Sequence, residues 1–168
     1  MDPKELLDDE NPDSEKFFNE EEYVTMVVNR DGFNKHQNDS ADLIETLLAK
    51  KISRQECEDI YLKLKNLKAH KFLIDTLKSA KNDRDKAKLC AACWECGLDF
   101  TSHFLFFTEL ACSNYFALAM EALTVVESIE GVILESDLIK AMEIVQNTKS
   151  TNAKILEFLT VNIKQRIG

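Results

Sequence analysis

Three cysteines lie close together in the middle of the chain, and their thiols are the side chains best suited to chemistry. Cys90, Cys93 and Cys96 are each separated by two residues, and Cys112 or His103 could supply a fourth ligand. Because a structural zinc site needs four ligands in tetrahedral order, one hypothesis is a metal site formed by Cys90, Cys93, Cys96 and Cys112.

The residues around these cysteines favour a packing role instead. The segment AKLCAACWECG, residues 87–97, has helical spacing. No second well-spaced pair of ligands follows it. A redox Cys-x-x-Cys pair is expected beside a β-α-β pattern, which is not visible in this chain. Cysteine is among the most buried residue types and packs as a small apolar side chain. We therefore predict core cysteines, with no metal and no other cofactor.

Motifs for catalysis are weak in this sequence. His36, His70 and His103 belong to no nucleophile motif, and neither G-x-S-x-G, nor H-E-x-x-H, nor a phosphate-binding glycine loop occurs. The stretch NDRD, residues 82–85, is typical of a helix N-cap followed by first-turn acids. We predict that the protein is not an enzyme, although catalytic groups can converge from distant positions.

The length and the placement of proline indicate an almost wholly helical protein. The chain has 168 residues, of which 45% are apolar, and it can bury a core without disulfides. Its two prolines, Pro3 and Pro12, both lie near the start. Because no proline interrupts the rest of the chain, helices are favoured over a turn-rich β fold, and the predicted class is all-α.

The sequence favours a soluble protein of the cytoplasm. The N-terminus MDPKELLDDE is acidic and lacks the apolar core of a signal peptide. No apolar run reaches the roughly 18 residues that a membrane span requires. We therefore expect a cytoplasmic location, reduced thiols and no membrane partner.

The charge is distributed unevenly and suggests two parts. Residues 1–40 hold 12 acidic and 4 basic residues, whereas residues 41–168 hold 18 and 17. We predict an acidic N-terminal segment, partly disordered or capping through residues 15–29, followed by a helical-repeat domain. Nucleic-acid binding requires an excess of Lys and Arg, so no nucleic-acid partner is expected. A free acidic arm would suit a basic partner.

A pattern of one short and one long helix recurs from residue 41 onward. The pairs are predicted at 41–67, 70–98, 103–130 and 136–167, and their apolar positions recur after 30, 32 and 33 residues. The short helices align Leu43-Ile44, Leu73-Ile74, Leu105-Phe106 and Leu138-Ile139, and the long helices align Ile60, Cys90, Ala122 and Ile155. Trp94 aligns with Leu64, Val126 and Leu159, so we expect its ring to be buried between repeats.

Long helices rich in small residues, such as AKLCAACWECG and FALAMEALTVVESIEG, resemble HEAT or armadillo-like repeats over residues 41–168. The resemblance implies a right-handed α-solenoid of about four stacked helix pairs, because each pair buries its apolar face against its neighbours. An irregular helical bundle is the alternative architecture.

At two aligned positions, a central repeat has an apolar residue where the other repeats have a charged one. Leu89 aligns with Asp59, Glu121 and Lys154, and Phe107 aligns with Glu45, Asp75 and Lys140. Leu89, Cys93 and Phe107 are therefore candidates for an exposed protein-binding patch. Greater coverage of the central repeats would explain the same pattern.

These observations favour a non-catalytic scaffold or adaptor that binds another protein, whose identity the sequence leaves open. A homodimer is also left open. The alternative function is a helical-repeat enzyme or regulator, such as a nucleic-acid-acting HEAT-like protein. Such a protein needs a cationic groove, which the nearly neutral residues 41–168 do not obviously supply.

Overall fold

The computed structural model describes residues 39–49 and 52–167, and its regular elements there are all helical. Residues 39–48 are helical and are called α1. The later elements are α2 (Arg54–Asn66), α3 (His70–Ser79), α4 (Asp83–Glu95), a 3-10 turn (Thr101–His103), α5 (Phe104–Ala111), α6 (Phe116–Ser128), α7 (Glu135–Asn147) and α8 (Ala153–Ile167). The all-α prediction is confirmed for the described residues. Residues 1–38 of the predicted N-terminal segment, including residues 15–29, lie outside the described residues, whereas residues 39 and 40 belong to α1.

Each of the four predicted segments contains two helices. They are α1 and α2, α3 and α4, α5 and α6, and α7 and α8. Two of the starts follow from capping side chains. Ser53 and Glu56 form a capping box, whose Ser-x-x-Glu spacing can be read from the sequence. The Glu56 backbone N–H donates to Ser53 Oγ, and the Ser53 backbone N–H donates to the Glu56 carboxylate. Asn82 Oδ1 accepts from the Asp85 backbone N–H at 2.8 Å.

Small residues bring α4 and α6 together at the centre of the described chain. Ala92 of α4, and Ala119 and Ala122 of α6, are fully buried, and the two helices pack against each other. Short side chains at a helix contact let the two backbones approach closely. The same two helices therefore carry much of the core, with Leu89 and Cys93 from α4 and with Leu118, Leu123, Val125 and Val126 from α6.

Contacts between helices connect the second, third and fourth pairs along the chain. Within pairs, α3 packs on α4, α5 on α6 and α7 on α8. Between consecutive pairs, α4 packs on α6, α5 on α7 and α6 on α8, and α5 also reaches α8.

Hydrogen bonds from the last pair fix α8 beside α6. The Arg166 guanidinium donates to the carbonyls of Val126 and Ile129 at 3.0 and 2.9 Å, where α6 ends. At the other end, the Asn152 amide donates to the Ser113 carbonyl at 2.9 Å. The starts of α6 and α8 therefore lie side by side.

One glycine is required by close packing. A methyl group on Gly131, in the loop after α6, would overlap the side chain of Thr101. Glycine at this position therefore lets the loop approach the 3-10 turn that precedes α5.

Candidate functional site

The three clustered cysteines are core residues of α4. Cys90, Cys93 and Cys96 are all buried. Burial raises the pKa of the Cys90 and Cys96 thiols from 9.0 to about 12. Burial, with the neighbouring thiols as a smaller cause, raises the pKa of Cys93 well above its usual value. Because the thiolate is the form that binds metals and attacks disulfides, these thiols are held in their unreactive form.

Cys112 lies where α5 ends and is half-buried. Burial raises the pKa of its thiol, and a hydrogen bond with Thr148 opposes that shift. Among residues 39–49 and 52–167, no group of three or more His, Cys, Asp and Glu side chains is arranged to hold a metal ion. The structure therefore does not bring Cys112 together with the α4 cysteines as a ligand set.

Leu89, Cys93 and Phe107 do not form an exposed patch. All three side chains are buried, with exposed fractions of 0%. The prediction that these residues are exposed binding anchors is wrong. Neighbouring helices cover these positions in the central helices, whereas the outer helices expose theirs to solvent. Coverage of the central repeats, the other explanation of the pattern, agrees with this burial.

Aromatic packing explains the position of Phe107 in particular. Its ring meets the rings of Phe100 and Phe106, with centroids 5.6 Å apart in both pairs and edge-to-face geometry. Lys78 of α3 lies over the ring of Phe106, with its Nζ 5.5 Å from the ring centroid. A charged residue would fit here poorly, although the aligned positions Asp75 and Lys140 are exposed.

Trp94 is half-buried rather than fully buried, which corrects the expectation from the repeat alignment. Its indole Nε1 donates a hydrogen bond of 2.8 Å to the carboxylate of Glu121 on α6. Trp94 therefore connects α4 to α6, because its polar edge reaches a carboxylate at the border of the core. This bond could not be predicted by aligning apolar positions, because Glu121 aligns with Asp59, Leu89 and Lys154, a set that contains acidic, apolar and basic residues.

The one serine–histidine contact among the described residues is local. Ser102 Oγ and His103 Nδ1 are 2.9 Å apart and belong to neighbouring residues in the 3-10 turn. Burial is the main cause that lowers the pKa of His103. A catalytic dyad also needs a group that orients the imidazole, and the hydrogen bonds of the described residues include none to the other ring nitrogen of His103. We regard this contact as a feature of the turn.

An apolar groove runs between α1 and α3. Its volume is about 550 Å³. It is lined by Ala41, Ile44, Glu45, Leu48, Ala49, Phe72 and Thr76. The residues from α1 occur at helical spacing, so the groove follows the axis of that helix. We call this feature the α1–α3 groove. It could not be predicted from the sequence, because a groove depends on the separation of two helices.

Lys88 attaches α1 to the rest of the described chain. Its Nζ donates to the carbonyls of Leu47, Leu48 and Ala49 at 3.3, 3.3 and 2.9 Å. These carbonyls belong to the end of α1, where a helix has unpaired acceptors and a negative dipole end. Lys88 therefore fixes one wall of the α1–α3 groove.

Residues 41–90, which include this groove, have an excess of basic residues. They contain 12 Lys and Arg and 8 Asp and Glu, a net charge of +4. Residues 91–168 contain 5 and 10, a net charge of −5. Lys71 and Lys78 are exposed on α3, and the charged residue among those that line the groove is Glu45. The nearly neutral total over residues 41–168 therefore conceals two halves of opposite sign.

Exposed apolar side chains occur on several helices. They include Leu62 on α2, Phe116 and Met120 on α6, Ile139 on α7, and Phe158, Val161 and Ile167 on α8. Phe158 is 58% exposed, whereas Cys93 and Val125, which take the same position in α4 and α6, are completely buried.

No protein-family model, curated protein or solved structure matches this chain. None of the helices described here is both long enough and apolar enough to cross a membrane.

Proposed function

We propose that this protein is a non-catalytic adaptor whose α1–α3 groove binds an amphipathic helix of another protein, one with an acidic polar face. The observation that carries the proposal is the apolar lining of the groove, with Ile44, Leu48 and Phe72 as its largest apolar side chains. An amphipathic helix binds such a groove through apolar residues at helical spacing.

An α-solenoid of the HEAT or armadillo-like kind is part of this proposal. The contacts between consecutive helix pairs support it, because repeat proteins bury their core mainly between neighbouring repeats. Proteins of that architecture present extended surfaces for partners. An adaptor role agrees with such a surface.

The size of the groove suits side chains rather than a whole protein surface. Its volume of about 550 Å³ lies within the range of roughly 300–1,000 Å³ that is usual for ligand pockets. Several apolar side chains of one helix could enter it, and the exposed parts of α1 and α3 would contact the polar flanks of that helix. Binding energy would then come mainly from a few buried anchors.

The charge of residues 41–90 supports an acidic face on the partner. These residues have a net charge of +4, and Lys71 and Lys78 are exposed on α3, whereas Glu45 in the lining of the groove is acidic. Such long-range attraction mainly raises the association rate and weakens with salt. A partner with a basic face would be repelled by the same charges.

A cytoplasmic location is also part of the proposal. All five cysteines are free thiols, and free thiols are usual in a reducing compartment. Mass spectrometry of alkylated protein isolated from cells would test this: five alkylated thiols are expected, and a native disulfide would contradict it.

A peptide titration tests the groove. The probe is a synthetic amphipathic helix of about four turns, with Leu on one face and Glu on the other. The comparison peptide has Lys in place of Glu. We expect the Glu peptide to bind the full chain at least about tenfold more tightly than the Lys peptide, a difference of about 1.4 kcal/mol.

Variants of the groove locate the binding. Phe72→Ala removes an apolar anchor, and Ala49→Glu places a negative charge at an exposed position of the lining. Each should weaken binding of the Glu peptide at least about tenfold. Leu62→Glu is the matched control, because Leu62 is exposed on α2 and does not line this groove. Equal loss in the control, or no loss in either groove variant, would overturn the proposed site.

A further inference from the structure

The α6–α7 loop, residues 129–134, exposes the two most accessible large apolar side chains of the described residues. Val132 is 92% exposed and Leu134 is 68% exposed. Ile133 between them is half-buried and packs against the core. Alternate side chains of this stretch therefore point outward, as they do along an extended backbone. Neighbouring apolar side chains that are exposed and surrounded by polar residues mark interaction sites.

Contacts at both ends hold the α6–α7 loop in place. At its start, the Arg166 guanidinium donates to the Ile129 carbonyl at 2.9 Å. The backbone bends at Gly131, which lies against the 3-10 turn. At its end, the Leu134 carbonyl accepts from two backbone N–H groups of α7 at 2.9 and 3.1 Å. A partner therefore meets a loop that is already positioned, which lowers the entropy that binding must supply.

The backbone of the loop also has hydrogen-bonding groups for a partner. Among the hydrogen bonds of the described residues, none uses a backbone N–H of residues 130–134 or a backbone carbonyl of residues 130–133. Unpaired groups of this kind can bond to the backbone of a second, extended chain. An extended partner can therefore pair with the loop backbone and contact Val132 and Leu134 at the same time.

The charge around the loop is acidic. Residues 89–139 contain eight Asp and Glu and no Lys or Arg. Glu127 and Glu130, which precede the exposed apolar side chains, and Glu135, which follows them, are all exposed. Because opposite charges favour encounter and like charges oppose it, these carboxylates favour a basic partner.

The basic side chains that reach this part of the fold already have partners. Arg166 is half-buried and donates to two carbonyls where α6 ends. Lys140 lies 3.5 Å from a carboxylate of its own helix. None of the ion pairs among the described residues involves Glu127, Glu130 or Glu135. Their carboxylates are therefore available to cations from outside the chain.

We propose that the α6–α7 loop binds an extended segment of another protein that carries both apolar and basic residues. Val132 and Leu134 contact its apolar side chains, and Glu130 and Glu135 pair with its Lys or Arg. The acidic residues 1–40 of this chain have the wrong charge for the site, and the same carboxylates oppose an anionic membrane surface. The loop shares no lining residue with the α1–α3 groove, so this inference does not depend on the proposed adaptor function.

A peptide titration of the full chain tests the chemistry of the partner. The probe is a capped peptide of about eight residues in the repeating order Lys-Lys-Val-Val, so that each face of the extended peptide carries both residue types. The comparison peptide has Glu in place of Lys. We expect the Lys-Val peptide to bind at least about tenfold more tightly than the Glu-Val peptide. Equal affinities, or no binding at millimolar Lys-Val peptide, would overturn the proposal.

Variants locate the binding at the loop. Val132→Lys should leave the protein folded, because the side chain is 92% exposed. It should weaken binding of the Lys-Val peptide at least about tenfold, because it removes an apolar contact and adds a like charge. Leu62→Lys is the matched control, since it changes the net charge equally at an exposed apolar residue of α2, and it should weaken binding by less than about threefold. Equal losses in both variants would show general charge attraction and would overturn the site.

Hydrogen exchange tests the backbone pairing. Saturating Lys-Val peptide should slow exchange of the amides of residues 130–134 at least about tenfold, and the amides of α1 and α3 should exchange as before. Protection confined to other parts of the chain would contradict the proposed site.

Sedimentation of the protein alone distinguishes a second copy from a different partner. We expect the monomer mass of 19.2 kDa at the concentrations of the titration. Self-association that Val132→Lys abolishes would assign the loop to a second copy of this chain and would overturn the proposal.

Discussion

The indole Nε1 of Trp94 donates a 2.8 Å hydrogen bond to the carboxylate of Glu121, and this bond joins α4 to α6. The two helices pack against each other in the described core, and Ala92, Ala119 and Ala122 of these helices are fully buried. The bond therefore lies at the border of the contact on which the packing of consecutive pairs depends.

Removing the acceptor of this bond should destabilise the fold modestly. Glu121→Ala leaves the half-buried indole N–H without its partner, which should lower the free energy of unfolding by about 1–2 kcal/mol. Glu121→Gln keeps an acceptor oxygen and should lower it by less than about 1 kcal/mol. Urea unfolding followed by Trp94 fluorescence measures both values. Equal effects of the two substitutions would mean that the hydrogen bond contributes nothing specific.

Loss of Lys88 should loosen α1 selectively. Lys88→Met keeps most of the aliphatic stem but removes three hydrogen bonds to the end of α1, so we expect a loss of about 1–2 kcal/mol. Hydrogen exchange should become faster in residues 39–48. Lys86→Met is the control, because Lys86 makes only a 3.9 Å pair with partly exposed Asp83. Unchanged exchange in α1 would contradict the anchoring role.

The core position of Phe107 predicts a large effect of truncation. Phe107→Ala should lower the free energy of unfolding by about 3–5 kcal/mol, the usual range for a buried aromatic side chain. Leu62→Ala, at a position 59% exposed, should lower it by less than about 0.5 kcal/mol. Chemical denaturation of both variants decides this. Similar small effects would place Phe107 outside the core.

The buried thiols predict loss of stability at high pH. Their pKa is higher in the folded chain than in the unfolded chain, so the folded state retains protons that the unfolded state releases. The corresponding stabilisation is complete below pH 9.0 and is lost as the pH rises towards about 12 for Cys90 and Cys96. Cys90→Ala should make the alkaline decline shallower in urea titrations. An unchanged pH dependence would argue against protonated core thiols.

Thiol labelling tests the same assignment without unfolding the chain. At pH 8, iodoacetamide should modify Cys57 and Cys112, which are partly accessible, before Cys90, Cys93 and Cys96. Rapid modification of the α4 thiols in the native protein would contradict their burial.

Local sequence signals predicted the helices well. Ser53 with Glu56 and Asn82 with Asp85 mark helix starts that the structure confirms. Helical spacing also identified Cys90 as a core residue. Both kinds of signal are local, since capping joins residues three apart and burial follows the periodic face of one helix.

Features that depend on neighbouring helices were not predictable from the sequence. Leu89 and Phe107 share columns with charged residues, and only the helices packed around them make those positions buried. The Lys88 contact joins residues about 40 positions apart, and the α1–α3 groove depends on the separation of two helices, which no periodic pattern specifies. Consequently, the helical class followed from the sequence, but the candidate binding surface required the structure.

The most direct test of the adaptor proposal is to map the Glu peptide on the isotopically labelled full chain by amide NMR. We expect the largest chemical-shift changes in α1 and α3, at or beside Ile44, Leu48 and Phe72, with little change in α8. Leu62→Glu should leave the map unchanged, whereas Phe72→Ala should reduce the changes at the same peptide concentration. Changes concentrated on α6 or α8, or no changes at saturating peptide, would contradict the claim that the α1–α3 groove is the partner site.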